Sequence, residues 1–228
     1  MGRYKDMKQK YLNSDGKDVL WKSLVGYVFV FILVCGMLFI NVGVQAQKVY
    51  GGIVAGINGS QVAGDVASGY DKAGIHAGFF AYTHLSEKSV FQMELVYSQK
   101  GARKNPSEKN GFQQYILRLN YIDIPFIYKY LYNDRLSFEG GLSYGYLLYH
   151  YEEANFSLNV GDAGFHTHAL NIMVGLNYRF ADKWAAGFRS TNSLYQVRDH
   201  TSGATRFPNY GQYNDVLTLT LQYFLWRE

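Results

Sequence analysis

From Tyr50 to the C-terminus the apolar residues recur at every second position, and no stretch sustains a helical period. In 91–97, Phe91, Met93, Leu95 and Tyr97 share one face while Gln92, Glu94 and Val96 share the other. The same alternation sets Phe138, Leu142, Tyr144, Tyr146 and Leu148 against Ser137, Glu139, Ser143 and Gly145. It also sets Leu217, Leu219, Leu221 and Tyr223 against Thr218, Thr220 and Gln222. Side chains of a strand point to opposite sides in turn, so each segment has one apolar face and one small, polar or charged face. Eight strands are expected, at 50–60, 72–83, 90–100, 115–130, 136–149, 166–180, 184–198 and 214–226. Their connections alternate in length. Those at 61–71, 101–114, 150–165 and 199–213 are long and polar. Those at 84–89, 131–135 and 181–183 are short and carry turn formers such as Asn133-Asp134-Arg135.

This rhythm belongs to transmembrane barrels, whose outer loops are long and whose periplasmic turns are short. The expected fold is all-β, an eight-stranded antiparallel up-and-down transmembrane β-barrel. About ten residues at ~3.3 Å per residue, tilted by ~40°, reach the ~25 Å height of an outer-membrane apolar band. Aromatic side chains near the short turns (Tyr82, Phe91, Tyr128, Tyr130, Tyr178, Phe180, Trp184, Tyr223) suit an interfacial girdle. A soluble barrel would turn its polar faces outward. Here those faces hold mostly Gly, Ser, Asn and Thr with few charges, a better interior than exterior. With 21 Tyr, 15 Phe and 24 Gly but only 3 Pro, the composition favours strands.

The N-terminal part reads as an address. Leu24–Ile40 is an unbroken apolar run preceded by Lys17 and Lys22, and Val44 and Ala46 provide the small residues of a signal-peptidase site. Cleavage is expected between Ala46 and Gln47, making 1–46 a signal peptide with an extended n-region and 47–228 the outer-membrane β-barrel domain. A retained membrane anchor is the competing reading, because ~20 apolar residues can span a bilayer. The net charge of +4 comes mainly from this segment: 47–228 holds 16 basic and 15 acidic residues. The barrel therefore lacks the basic field of a nucleic-acid binder. The only cysteine, Cys35, lies within the apolar run, which rules out a disulfide framework after it.

No catalytic, cofactor or metal site is expected. The candidate constellation is a set of inward-facing charges, Glu94, Arg118, Asp123, Glu139, Arg179 and Arg189. A barrel of eight strands has an interior just wide enough for side chains, so charges there must pair with one another. In the fourth strand the apolar set shifts from Leu117, Leu119 and Tyr121 to Ile122, Ile124, Phe126, Tyr128 and Tyr130. Such a slip, next to a proline without an N–H, predicts a β-bulge and a break in pairing near Asp123–Pro125. His166 and His168 fall on one strand face as a two-ligand metal pair without an evident third. His150, Glu152 and Ser157 have the residue types of a hydrolytic triad but no spacing that orders them.

Several segments resemble the PorT-like family of outer-membrane β-barrels. Tyr121-Ile122-Asp123-Ile124-Pro125 resembles that family's fourth-strand signature, and Tyr97-Ser98-Gln99-Lys100-Gly101-Ala102 the end of its third strand. Glu139-Gly140-Gly141-Leu142, Gly145-Tyr146-Leu147-Leu148, Gly56-Ile57-Asn58 and Gly74-Ile75-His76-Ala77-Gly78 fit in order. The resemblance implies an eight-stranded barrel, and its namesake is associated with protein secretion. The expected function is a non-enzymatic, monomeric outer-membrane barrel with its four long loops outside. A small pore or secretion component is the alternative, and a lipid-modifying enzyme the third reading. Expected partners are outer-membrane lipid, an extracellular or secretion-system protein, and the barrel-assembly machinery. For the last, the aromatic finish Tyr223-Phe224-Leu225-Trp226 resembles the assembly signal of outer-membrane proteins.

Overall fold

In the computed structural model the described residues are 48–64, 69–108, 111–154, 157–158, 164–199, 204–206 and 209–225. The expected signal segment and its cleavage point, Ala46–Gln47, lie outside them, as does Trp226. Period-2 alternation produces eight long strands: β1 (Val49–Ala63), β2 (Lys72–Ser86), β3 (Ser89–Lys104), β4 (Tyr115–Leu131), β5 (Leu136–Ala154), β7 (His168–Ala181), β8 (Trp184–Ser193) and β11 (Tyr213–Phe224). Three short pieces complete the order: β6 (Ser157–Leu158), β9 (Ala204–Arg206) and β10 (Asn209–Gly211). Each long strand pairs antiparallel with its sequence neighbour, β11 returns to β1, and β4–β5 pairing leaves no open edge. Closure satisfies every stave on both sides, which a sheet crossing lipid requires.

The strands run further than expected on the long-loop side. Residues 61–63, 101–104 and 150–154 belong to strands, and 199–213 contains the β9–β10 hairpin rather than loop alone. On the same side β7 starts only at His168 and β8 stops at Ser193.

The outward face is a band of exposed apolar side chains, including Ile57, Phe79, Leu95, Phe126, Leu142, Val174 and Leu219. Phe91, Tyr128, Tyr130, Tyr178, Phe180 and Trp184 ring its short-turn edge as exposed aromatics, with Tyr223 against Trp184 at 4.8 Å. Tyr82 is the exception among the expected girdle residues. It faces inward, buried, and packs on Tyr50 and Phe224.

Alternation in β4 never slips. Tyr115, Leu117, Leu119, Tyr121, Asp123, Ile127 and Lys129 are all buried, and Arg118, Phe126, Tyr128 and Tyr130 are exposed. The expected bulge at Tyr121–Ile122 is therefore absent from β4. The extra residue lies on β5, where Asn120 pairs with Tyr149 but Tyr121 with Leu147. A break in pairing does occur at the proline, on the β3 side only. Pairing stops at Met93–Phe126 and resumes at Val96–Asp123 in the same register. Pro125 has no N–H to give to β3, whereas its pairing with Ser143 of β5 is intact.

Candidate functional site: a sealed, charged barrel interior

Inward side chains fill the lumen in layers. Towards the short turns lies an apolar layer of Val54, Phe80, Tyr82, Val90, Val96, Ala185 and Phe224. Towards the long loops lies a second, of Val62, Ala102, Tyr115, Leu117, Leu119, Tyr121, Ala169 and Val197. Polar groups lie between and beside them.

Arg189 of β8 is the centre of the polar layer. Its Nη1 and Nη2 each lie 3.0 Å from Glu94 of β3, a two-point grip on one carboxylate, and its Nε lies 2.7 Å from Oε1 of Glu139 of β5. This fork geometry is what a planar guanidinium does best. Lys129 of β4 approaches Oε2 of Glu139 at 3.6 Å and Gln222 of β11 at 3.4 Å. Asn177 of β7 donates to Glu139, and Gln92 donates to Glu94 at 2.7 Å. Two cations thus face two carboxylates, and the cluster is neutral. It links six of the eight staves. All four charged side chains are buried, so their attraction is weakly screened while their desolvation cost is high. Gly175 provides the room: a Cβ there would lie 2.8 Å from Oε1 of Glu139 and 2.6 Å from the carbonyl of Phe188.

A second ion pair lies above the first, Lys100 to Asp123 at 2.7 Å, with Lys100 4.7 Å from the Tyr121 ring centroid. Around it are Asn58, Ser98, Thr218, Asn171 and Ser193, joined by hydrogen bonds of 2.9–3.0 Å. A cavity of about 10 Å³ lined by His76, Lys100, Asp123 and Arg189 is the size of one water molecule. A third pair, Arg198 to Glu152 at 2.9 Å, closes the long-loop rim, where the Tyr115 hydroxyl also donates to Glu152. At the opposite mouth is a vestibule of about 490 Å³ whose floor includes Lys129, Gln92 and Gln222.

Of the six expected lumen charges, Glu94, Glu139 and Arg189 meet, and Asp123 is buried in its own pair. Arg118 requires correction: it points outward, exposed, with its guanidinium 5.6 Å from the Tyr151 ring. Arg179 faces inward with Asn177 but sits at the short-turn mouth, half-buried, with its guanidinium 5.6 Å from the Phe224 ring. Sequence reasoning missed Lys100 and Lys129. Their positions, even in β3 and odd in β4, carried the signal, because each shares the parity of the inward carboxylate on its own strand, Glu94 in β3 and Asp123 in β4. Arg118 was misplaced because Leu117, Leu119 and Tyr121 were assumed to face lipid. Above the membrane band the outside is water, so there the apolar residues turn inward.

The histidines do not converge. The His168 ring stacks on Tyr144 and its Nδ1 shares a hydrogen bond with the Tyr144 hydroxyl. His166 lies 3.4 Å from Asp199. Hydrogen bonds from Gln196 and His166 hold the exposed Asp199 carboxyl below its usual range. His150 packs on Phe165, and Glu152 is engaged by Arg198 and Tyr115. Among the described residues no three His, Cys, Asp or Glu side chains are grouped as metal ligands.

Residues 45–198 match the family model described as "Outer membrane protein beta-barrel domain". No match was found among curated proteins. Among solved structures, Neisserial surface protein A is similar at 12% identity and a TM-score of 0.51, covering 78% of this chain and 99% of that one. The attachment invasion locus protein Ail of Yersinia pestis, solved with the heparin analogue sucrose octasulfate, shows 11% identity and a TM-score of 0.46, covering 78% and 100%.

Proposed function

The chain belongs to the outer membrane protein beta-barrel domain family, and from that premise we propose that it is a non-catalytic, non-conducting barrel. Its place is the outer membrane. In this reading the barrel is a rigid, monomeric mount that carries the strand extensions beyond Gly101, Asn120 and Tyr149, with their loops, for contact with a partner outside the cell. The single observation that carries the reading is the filled lumen: a neutral ion cluster capped towards the long loops by an apolar layer. An ion entering that path would have to shed its water against Leu117, Leu119 and Tyr121, which offer it no charge. The sealed path favours this reading over the small pore. A component associated with protein secretion, as the namesake of the PorT-like family is, stands as the alternative reading, and no residue of this sequence marks it. The barrel-assembly machinery is the proposed partner during insertion, through 223–226.

Purified protein reconstituted in planar bilayers tests the sealed lumen. No steady single-channel conductance above the bare bilayer is expected, at any voltage that the bilayer tolerates. Regular conductance steps that scale with protein concentration would overturn the reading in favour of the pore.

A further inference from the structure

The short-turn mouth opens into the vestibule of about 490 Å³, within the size range of small-molecule sites. All eight long strands contribute to its lining. The wall on β11, β1 and β2 is aromatic. Tyr50 stacks on Tyr82 at 5.3 Å between ring centroids, and Phe224 meets Tyr82 edge-on at 5.5 Å. Across from it, β4, β5 and β7 bring Lys129, Ser137 and Asn177.

Two groups at the floor have donors that the protein leaves poorly used. Lys129 is buried, and its ammonium reaches Gln222 Oε1 only at 3.4 Å and Glu139 Oε2 only at 3.6 Å. Charge-assisted hydrogen bonds of this type are ordinarily ~2.7–2.9 Å, so neither contact makes good use of the three ammonium donors. Gln222 is fully buried, and its Nε2 has no partner. Turning the amide over would set its N–H groups against the ammonium, so charge fixes its orientation. An ammonium and an amide nitrogen therefore stand side by side on the floor of an open cavity with no close acceptor among the described residues. Buried donors left in that state are costly. The lining also has a sign. Lys129 is balanced by Glu139, and the remaining charges are Lys88, Arg135 and Arg179 against Glu87 and Asp134, an excess of one positive charge.

We propose that the vestibule is a periplasm-facing binding site for a small organic monoanion, a carboxylate carried on an aromatic or other flat apolar body. The carboxylate accepts from Lys129 Nζ and Gln222 Nε2, and the body lies along Tyr50, Tyr82 and Phe224. Water would meet the donors but not the excess charge. An inorganic anion would leave the aromatic wall uncovered. The site is at the opposite end from the loops proposed for partner contact, so either reading can fail without the other.

The test is side-chain and backbone amide NMR of the isotope-labelled barrel in lipid nanodiscs, titrated separately with benzoate and with benzamide. Benzoate is expected to shift the Gln222 Nε2 signal saturably, with backbone shifts confined to the surroundings of Tyr82, Gln92 and Phe224. Benzamide, the same body without the charge, is expected to bind at least about tenfold more weakly, the least that a hydrogen bond to a charged group contributes. Gln222→Leu keeps every charge. It is expected to weaken benzoate about tenfold, read from the backbone signals, while still showing heat-modifiable migration. Arg103→Gln, exposed at the far end, is expected to leave the affinity unchanged. Benzoate shifts that rise without saturating through the millimolar range would overturn the proposal and leave the vestibule to water. So would equal affinity for benzoate and benzamide, which would mark an apolar pocket without charge recognition. Both of these arms use wild type and depend on no variant. Unchanged benzoate affinity in Gln222→Leu would overturn the carboxylate seat, and weakening in Arg103→Gln as large as in Gln222→Leu would overturn it as a general effect of substitution.

Discussion

Replacing Arg189 with methionine is expected to lower the barrel's unfolding free energy by about 3–5 kcal/mol, the range seen when one partner of a buried ion pair is removed. The loss comes less from the missing attraction than from what stays behind. Glu94 and Glu139 would remain buried with Lys129 as the one cation beside them among the described residues. Equilibrium urea unfolding in detergent or short-chain lipid vesicles, followed by gel migration and tryptophan fluorescence, reads the change. The double variant Arg189→Met/Glu94→Gln is expected to recover most of it, because Lys129 and Glu139 then remain as a neutral pair. A double variant as unstable as Arg189→Met would show that shape, not charge, holds this layer.

The second large effect is on the outside. Leu219 is exposed between Leu217 and Leu221 near the middle of the apolar band. Leu219→Arg is expected to cost about 2–4 kcal/mol, as for arginine facing lipid at the bilayer midplane. Asn120→Arg, outward on β4 but above the band, is expected to cost about 0–1 kcal/mol, as near an interface. The same unfolding measurement applied to both variants tests the depth dependence. Equal costs at the two positions would mean that Leu219 does not face hydrocarbon.

The eight staves were readable because lipid and lumen impose opposite chemistry on adjacent residues, and the alternation printed that contrast along every strand. Phe91–Tyr97 and Leu217–Tyr223 show it without ambiguity. The rule fails where the outer medium changes. In 115–121 the strand continues past the membrane, water replaces lipid, and the apolar residues move inside. Reading Leu117 and Leu119 by the membrane rule turned Arg118 inward and called for a bulge that β4 does not contain. Tyr82 misled for a related reason: at the short-turn mouth an aromatic ring can close the lumen as well as line the interface. The interior charges were half readable. Parity placed Glu94, Glu139 and Arg189 inside, but which cation meets which carboxylate depends on stagger between strands, and single-strand periodicity carries no stagger. Lys129 and Glu139 lie directly opposite each other on β4 and β5, a pairing that only the register reveals.

The central claim is that lipid touches one face of every stave and that the other face is sealed from both lipid and water. Single cysteines test it directly once the sequence's only cysteine is removed by Cys35→Ser. A small fluorophore on cysteine at Leu219, Phe188 or Ile124 is expected to be quenched by nitroxide on the lipid chains and not by iodide in the water. On cysteine at Thr218 or Thr220, which face inward and are buried, it is expected to be quenched by neither. Iodide quenching at Leu219, Phe188 and Ile124 would contradict the membrane barrel, and iodide quenching at Thr218 and Thr220 would contradict the sealed lumen.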